Sequence, residues 1–504
     1  MNRERRPSAV DSLLRVFADV HPGESASALL LALNVFLILT AYYVIKPVRE
    51  ALILAGGGAE VKSYAAAAQA LLLLGAVPLY AALAGSLPRR RLINSVTLFF
   101  IGCLVLFYAL ARANLPLGVV FFLWVGIFNL MVVAQFWSFA NDVYTSDEGK
   151  RLFPIVAFGA SAGAVFGSVL TGRLIAPLGV YQLLLVAAAI LVGGLVVTNL
   201  VDRRERRRTE SARARDVSTA TLPAATKEVR LDSGEFKIAD LKRLLAARES
   251  GGVPGPDDAA SIPAPAPPAP ARPAPGDDRL ATGAGAFRLV LKSRYLLLIA
   301  LLMLVLNWVN TTGEYILGRT VAHAAAEAVA AGRSGGLDEK AFIGRFYSDF
   351  FFVVNAVGLA LQLFVVSRIL KYAGVRLAIL ALPVIALVGY GALAFLPILS
   401  VVRWAKTAEN ATDYSLQNTV RNVLFLPTTR EEKYKAKQAI DGFFVRAGDM
   451  LSAGLVFVGT TYLHLGARQF ALVNLGLAAL WLVLALMVGR ENSRVGALTA
   501  APES

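Results

Sequence analysis

RWAKTAENATDYSLQNTVR occupies residues 403–421 of a largely apolar chain. Arg403, Lys406, Asn410, Asp413, Gln417 and Arg421 recur at steps of three and four, which places all six on one face of one helix. Trp404, Ala408, Ala411 and Leu416 take the other faces. The segment lies in a chain of 504 residues that is 56% hydrophobic and only 17% charged, where a soluble domain averages about 25% charged. A charged group at the centre of a membrane helix costs about 2.5–3.5 kcal/mol on insertion scales, so a polar stripe persists where it faces a wet cavity or a partner. The stripe is therefore read as a membrane helix that lines water.

Working outward, a bilayer core about 30 Å thick needs about 20 apolar residues per helix. Spans are expected at 28–52, 64–87, 92–112, 117–145, 152–175 and 178–201, and after a polar interruption at 295–318, 347–370, 375–396, 398–425, 437–463 and 467–489. The tenth barely passes as apolar. Similar polar stripes mark span seven (Asn307, Asn310, Glu314, Gly318), span four (Gln135, Ser138, Asn141 or Asp142, Thr145) and span one (Tyr43, Lys46, Glu50, with Arg49 one step aside). These are the first and fourth spans of each set of six. The pattern resembles the major facilitator architecture, in which those helices line a central pathway. The fold expected is an all-α membrane protein of 12 transmembrane helices in two six-helix halves of the major facilitator type.

Cytoplasmic loops hold an excess of Lys and Arg. Arg3, Arg5, Arg6 and Arg15, then Arg89–Arg91, Lys150 and Arg151, Arg203–Arg208, Arg368, Lys371 and Arg376, and Arg430 to Lys437 all fall on one side of this topology. Both termini are then cytoplasmic, in a bacterial inner membrane. The organisation expected is an N-terminal segment (1–27), a first half (28–202), a linker (203–286), a second half (287–490) and a tail (491–504). The net charge of +15 follows from this bias and carries no meaning for nucleic-acid binding. The first apolar span is too long and too late for a cleaved signal peptide.

The linker has two parts. Residues 253–276 hold nine of the 22 prolines and form an extended tether. Before them, FKIADLKRLLAAR (236–248) sets Phe236, Leu241, Leu244 and Leu245 against Lys237, Lys242 and Arg243, a helix suited to anionic lipid headgroups or to a plain cytoplasmic role. AVDSLLRVFADVH (9–21) has a similar pattern.

One Cys and three scattered His exclude a disulfide framework and an ordinary zinc or haem site, and the GxxxxGK[ST], GxSxG, HExxH and CxxC motifs do not occur. No cofactor and no enzymatic activity are expected. Gly159, Gly163 and Gly167 stand four apart and read as a helix-packing seam. Thr429 with Glu432 has capping-box spacing. The cavity candidates are the bases Lys46, Arg49, Arg403, Lys406 and Arg421 and the acids Glu50, Asp142, Glu314, Glu409 and Asp413, to which span eleven adds Asp441, Arg446 and Asp449. Several bases in a membrane pathway favour an anionic solute, because Arg offers a planar fork and Lys a point charge to phosphate or carboxylate oxygens.

Three stretches resemble the ADP/ATP translocase family of plastids and obligate intracellular bacteria: YYVIKPVREALIL (42–54), FWSFANDVYTSDEGKRLFP (136–154) and DYSLQNTVRNVLFLPTTREEKYKAKQAIDGFFVRAGD (413–449). The resemblance implies exchange of nucleotides, ATP against ADP or a relative. It makes Arg49, Lys435, Lys437 and Arg446 phosphate-facing, and Asp142 and Glu314 coupling or orienting groups. Together with Lys46, Glu50, Asn141, Lys406, Asp413, Arg421 and Asp441 these form the expected substrate set. Another organic anion on the same scaffold is the alternative, and a non-transporting anchor or sensor acting through the linker is a third. Removing the linker separates the last from the others: a transporter keeps its flux when reconstituted, whereas an anchor loses its role.

Overall fold

The computed structural model describes residues 20–21, 24–144, 146–220, 283–429 and 432–500. The segments 9–19, 236–248 and 253–276 lie outside the described residues. The chain forms two compact units, one of residues 1–205 with 283–504 and one of 206–282, and of the second the described residues 206–220 are helical.

Among the described residues, ten helices are long and apolar enough to cross a membrane. The first of them, Ser25–Tyr80, has 56 residues. A straight helix of that size would measure about 84 Å, nearly three bilayer cores. Gly58 breaks it with φ 75° and ψ −177°, a conformation open to a residue without Cβ. The reversal shows in the side chains: Lys62 Nζ lies 2.7 Å from Glu50 Oε2, although twelve residues of continuous helix would separate them by about 18 Å. This run is therefore two spans, α1 (25–57) and α2 (59–86). The helices α3 (Arg89–Arg112), α4 (Gly118–Val143), α5 (Ser146–Leu178) and α6 (Gln182–Ala220) complete the first half.

The second half holds α7 (Arg294–Ala330), α8 (Glu339–Phe364), α9 (Gly374–Phe395), α10 (399–423), α11 (Lys437–Thr461) and α12 (Ala467–Ala500). A short helix, Gly283–Lys292, precedes α7. The polar α10 fails an apolarity test and is built in three pieces: Leu399–Thr412, a π-helical turn Asp413–Gln417, and Asn418–Val423. Ten apolar helices, the division at Gly58 and the polar α10 give twelve. The expected all-α fold is the one observed, and Thr429 and Glu432 do form a capping box, with the Glu432 carboxylate accepting from Thr429 N at 3.0 Å and Glu432 N donating to Thr429 Oγ1 at 3.3 Å.

Each half is fastened internally by backbones in close approach. A Cβ on Gly159 would stand 2.5 Å from the Ala32 carbonyl oxygen and one on Gly167 2.5 Å from that of Thr40, and a Cβ on Gly163 would collide with the Phe36 carbonyl. The glycine spacing thus seats α5 directly on α1. Thr40 uses the proximity, donating to the Gly163 carbonyl at 3.3 Å. In the second half, α11 and α7 repeat the arrangement: a Cβ on Gly448 would stand 2.7 Å from the Leu304 oxygen, and the Thr312 and Ser452 hydroxyls meet at 2.9 Å.

The ends of the bundle differ. At the end carrying Arg89–Arg91, Arg151 and Arg376, Arg89 and Tyr295 find polar partners within their own halves. Arg89 reaches Asp142 at 3.4 Å and Asp202 at 3.1 Å, and Tyr295 donates to the Leu424 carbonyl at 2.6 Å. Glu24 there accepts from both terminal nitrogens of Arg151 at 3.0 Å; burial pushes its carboxyl up, and the bonds from Arg151 and from His21 N outweigh it, leaving it below the usual carboxylate range.

At the opposite end the halves are sealed together. Ser348 Oγ donates to the Ser168 carbonyl at 2.5 Å, Lys340 Nζ to Tyr181 Oη at 2.9 Å, and Tyr315 Oη to Glu60 at 2.9 Å. Gly318 lies against Leu54, and Gly344 against Ile175 and Ala51. Gly163→Val should cost about 1–3 kcal/mol by forcing α5 off α1, read as a lowered melting temperature in detergent; an unchanged melting temperature would contradict the close approach.

Candidate functional site

Above this seal, a cavity of about 340 Å³ lies between the halves. From the first half it is lined by Lys46 and Arg49 of α1, Lys62 and Gln69 of α2 and Phe122 of α4; the second half contributes Asn310, Thr311 and Glu314 of α7, Phe351 of α8, Asn410 and Tyr414 of α10, and Arg446 and Asp449 of α11. A second chamber of about 260 Å³ adjoins it, sharing Asn310 and Tyr414 and adding Asp413, Gln417 and Arg421. Spans one, seven and ten reach the first chamber through residues of their polar stripes, span four reaches it through Phe122 and not through its stripe, and α2, α8 and α11 join them.

Charge in the first chamber is arranged as a chain. Glu50, 1% exposed, receives Arg49 on one side (Nε at 3.0 Å) and Lys62 on the other. Lys62 Nζ then stands 3.7 Å from Glu314 of the opposite half. Glu314 accepts from Asn410 at 3.1 Å and lies 3.7 Å from Lys406. Lys406 is fully buried, pairs with Glu409 at 3.0 Å and donates to Asn310 Oδ1 at 2.8 Å, while Tyr390 donates to Glu409 at 2.8 Å. Alternation of sign is what lets so many charges stand away from bulk water, since each desolvated ion faces an opposite one.

Lys46 stands apart from this chain. Its ammonium makes no ion pair among the described residues and is ringed by aromatic faces, with the Phe351 centroid at 4.0 Å, Tyr43 at 5.3 Å, Tyr414 at 5.7 Å and Tyr42 at 5.9 Å. Aromatic faces stabilise a cation without neutralising it. Its ammonium belongs to the wall of the first chamber.

The remaining expected residues fall in three places. Arg446 lines the first chamber and pairs with Asp449 at 3.3 Å, and that carboxylate also accepts from Asn307 and Thr311 at 2.7 Å. Asp413 and Arg421 line the second chamber, and Arg421 is bound to Asp441, with Nε at 3.0 Å. Asn141 and Asp142 are exposed at the arginine-rich end, outside both linings, where Asp142 meets Arg89. Lys437 is also outside them, donating to Asn422 Oδ1 at 2.8 Å and lying over Phe425, with Lys435 in the adjacent π-helical turn Glu432–Ala436.

Sequence reasoning missed Lys62 and Tyr414. Lys62 falls in the interval 53–63 that hydropathy assigns to a connection, and only the reversal at Gly58 brings it beside Glu50. Tyr414 lies one residue off the polar stripe, and its place depends on the π turn. Lys62→Met should lower the unfolding free energy by about 3 kcal/mol by leaving the buried Glu50 with Arg49 alone and removing the cation that faces Glu314, and adding Glu50→Gln should recover part of it; additive losses on thermal unfolding would show the two residues uncoupled.

The sequence profile of the Major Facilitator Superfamily matches residues 29–408. No curated sequence matches the chain closely enough to serve as a relative. Among solved structures, the nucleoside transporter NupG is similar with a TM-score of 0.59 at 10% identity, over 92% of this chain and 98% of that one. A bacterial homologue of the iron transporter ferroportin in the inward-facing state gives 0.57 at 12% identity, over 92% and 98%. A POT family transporter in complex with 5-aminolevulinic acid gives 0.56 at 12% identity, over 93% and 96%. At these identities the likeness is one of fold, and it agrees with the two six-helix halves and the cavity between them. With the profile spanning most of the chain, this protein belongs to the Major Facilitator Superfamily and is a membrane transporter.

Proposed function

We propose that this transporter is an antiporter of nucleoside phosphates, exchanging ATP against ADP or a close relative by alternating access across a bacterial cytoplasmic membrane. The observation that carries an anionic cargo is the balance of the first chamber, whose lining sets four cations, Lys46, Arg49, Lys62 and Arg446, against two carboxylates, Glu314 and Asp449. Lys46 is the cation left without a carboxylate, and aromatic rings around it offer a surface for a flat, apolar part of the same ligand. At about 340 Å³, extended by the adjoining 260 Å³, the space falls in the usual range for small-molecule sites. The nucleotide itself rests on the three stretches that resemble the ADP/ATP translocases.

In this reading the arginine-rich end is cytoplasmic, by the positive-inside rule, and both termini lie there. The seal at the opposite end makes the described state inward-facing. Cargo enters past Lys435 and Lys437, and its phosphates meet Lys46, Arg49 and Arg446. As they do so they compete with Glu50 and Asp449 for the same cations, which frees those acids to take other partners. Rocking of the halves then breaks Lys62–Glu314 and opens the far end. An exchanger requires this passage to be slow when the cavity is empty.

A smaller organic anion is the second reading. Arg49, Lys62 and Arg446 each already have an acid partner, so Lys46 alone suffices for a single carboxylate.

Counterflow of labelled ATP into proteoliposomes loaded with ADP should exceed uptake into empty vesicles, and Lys46→Met and Arg49→Ala should each reduce it at least about tenfold, the effect of losing a charge-assisted contact of about 1.4 kcal/mol or more. Arg421→Leu should also reduce uptake. Uptake equal in loaded and empty vesicles would reject exchange, and counterflow preserved in both Lys46→Met and Arg49→Ala would reject the phosphate contacts.

A further inference from the structure

A third chamber of about 390 Å³ lies along the seam between α1 and α5 of one half and α8 and α10 of the other. Its lining contains no charged residue. The polar groups there are the carboxamides of Asn355, Gln362 and Asn418 and the hydroxyls of Tyr43, Ser161, Tyr414 and Thr419, set among Leu39, Val354 and Leu359. The Asn355 carboxamide stands beside the Tyr43 hydroxyl in this wall. A carboxamide has two donor hydrogens and an acceptor oxygen, so one such neighbour leaves further hydrogen-bonding capacity for a ligand.

One side chain belongs to the lining of all three chambers. Tyr414 stands where the charged chamber, the mixed chamber around Asp413 and Arg421, and the uncharged chamber meet. It lies on the π-helical turn Asp413–Gln417, whose extra residue shifts it from the register of a regular helix, and such turns are often found at functional sites. The residue is 44% exposed and its ring centroid is 5.7 Å from the Lys46 ammonium. A molecule spanning Tyr414 therefore meets positive charge on one side and neutral amides on the other.

That division restricts the cargo. An ionised group in the third chamber would be desolvated with no counter-charge, whereas an uncharged heterocycle would find donors and acceptors in matching order. A carboxamide presents one acceptor and one donor side by side, the complement of the amine and ring-nitrogen edge of a nucleobase.

We propose that the transported molecule is bipartite, with its anionic end at Lys46 and Arg49, a planar uncharged ring stacked on Tyr414, and the hydrogen-bonding edge of that ring read by Asn355 and Asn418. This deepens the nucleoside-phosphate reading and rests on it, assigning affinity to the cations and selectivity to Tyr414 and the amides. Base-on-aromatic contacts typically change affinity by about tenfold or more on removal of the ring.

The experiment measures binding of ATP and of inorganic tripolyphosphate, which has the anionic end and no ring, to the full chain in detergent. Tyr414→Ala and Asn355→Leu should weaken ATP by about tenfold or more and leave tripolyphosphate within about twofold, while Tyr414→Phe, which keeps the stacking face and guards against misfolding, should bind ATP as the parent does. Equal losses for both ligands, or ATP binding unchanged in Tyr414→Ala, would overturn the assignment. Parent protein that binds tripolyphosphate and not ATP overturns the bipartite cargo but leaves the anion reading standing, and parent protein that binds neither overturns both.

Discussion

Lys62 holds two carboxylates that belong to different halves of the molecule, Glu50 at 2.7 Å and Glu314 at 3.7 Å, and much of the architecture follows from that shared cation. In a poorly polarisable interior, attraction between opposite charges is strong, but each charge taken from water carries a penalty of several kcal/mol. Such a group stays where its partners stay. The unequal distances give the cation a closer tie to its own half than to the other. Each acid also has partners in its own half, Arg49 for Glu50 and Asn410 with Lys406 for Glu314. The charge chain is a pin across the two halves.

The pin is held in place by helices that barely have side chains where they touch. Gly159, Gly163 and Gly167 bring α5 onto the α1 backbone, which fixes the height at which Lys46, Arg49 and Glu50 are presented. Gly448 does the same for α11 on α7, beside the Asn307 and Thr311 that grip Asp449. In hydrocarbon there is no hydrophobic gain from joining two helices, so close packing and hydrogen bonds supply the adhesion. Each half is thus knitted backbone to backbone along its glycine contacts.

The chain displays its fold openly because membrane insertion writes polarity into sequence. Twenty apolar residues per span, basic ends on one side, and stripes on the first and fourth helices of each half can all be read before any coordinates exist. The glycine seam is legible for the same reason, since spacing of four has one geometric meaning on a helix. The site is legible only in part. Lys46 and Glu314 sit in stripes that reach the cavity, with Arg49 one step aside and Arg446 added from span eleven, but a stripe cannot tell lining from burial: Lys406 shares a face with Asn410, and it is fully enclosed behind the wall. Nor can it register long-range return. Lys62 becomes a partner of Glu50 through one glycine at φ 75°, and Tyr414 reaches three chambers through a single wide turn, local backbone events that periodicity smooths over.

The seal opposite the arginine-rich end inverts a familiar rule of membrane helices. On a lipid-facing surface volume is free and polarity is costly. At the seal Gly344 already presses on Ile175, Gly318 has Leu54 at 3.1 Å from where a Cβ would stand, Gly172 has the Ser348 hydroxyl at 3.0 Å, and the bonds across it run from the Ser348 hydroxyl to a backbone carbonyl, from the Tyr315 hydroxyl to the Glu60 carboxylate and from the Lys340 ammonium to the Tyr181 hydroxyl. Here bulk is what the structure refuses, and small polar groups are welcome because each finds a partner across the seam. The closed end is consequently a joint of mixed character, in which apolar contacts at Leu54 and Ile175 exclude water while hydrogen bonds set the register of one half on the other.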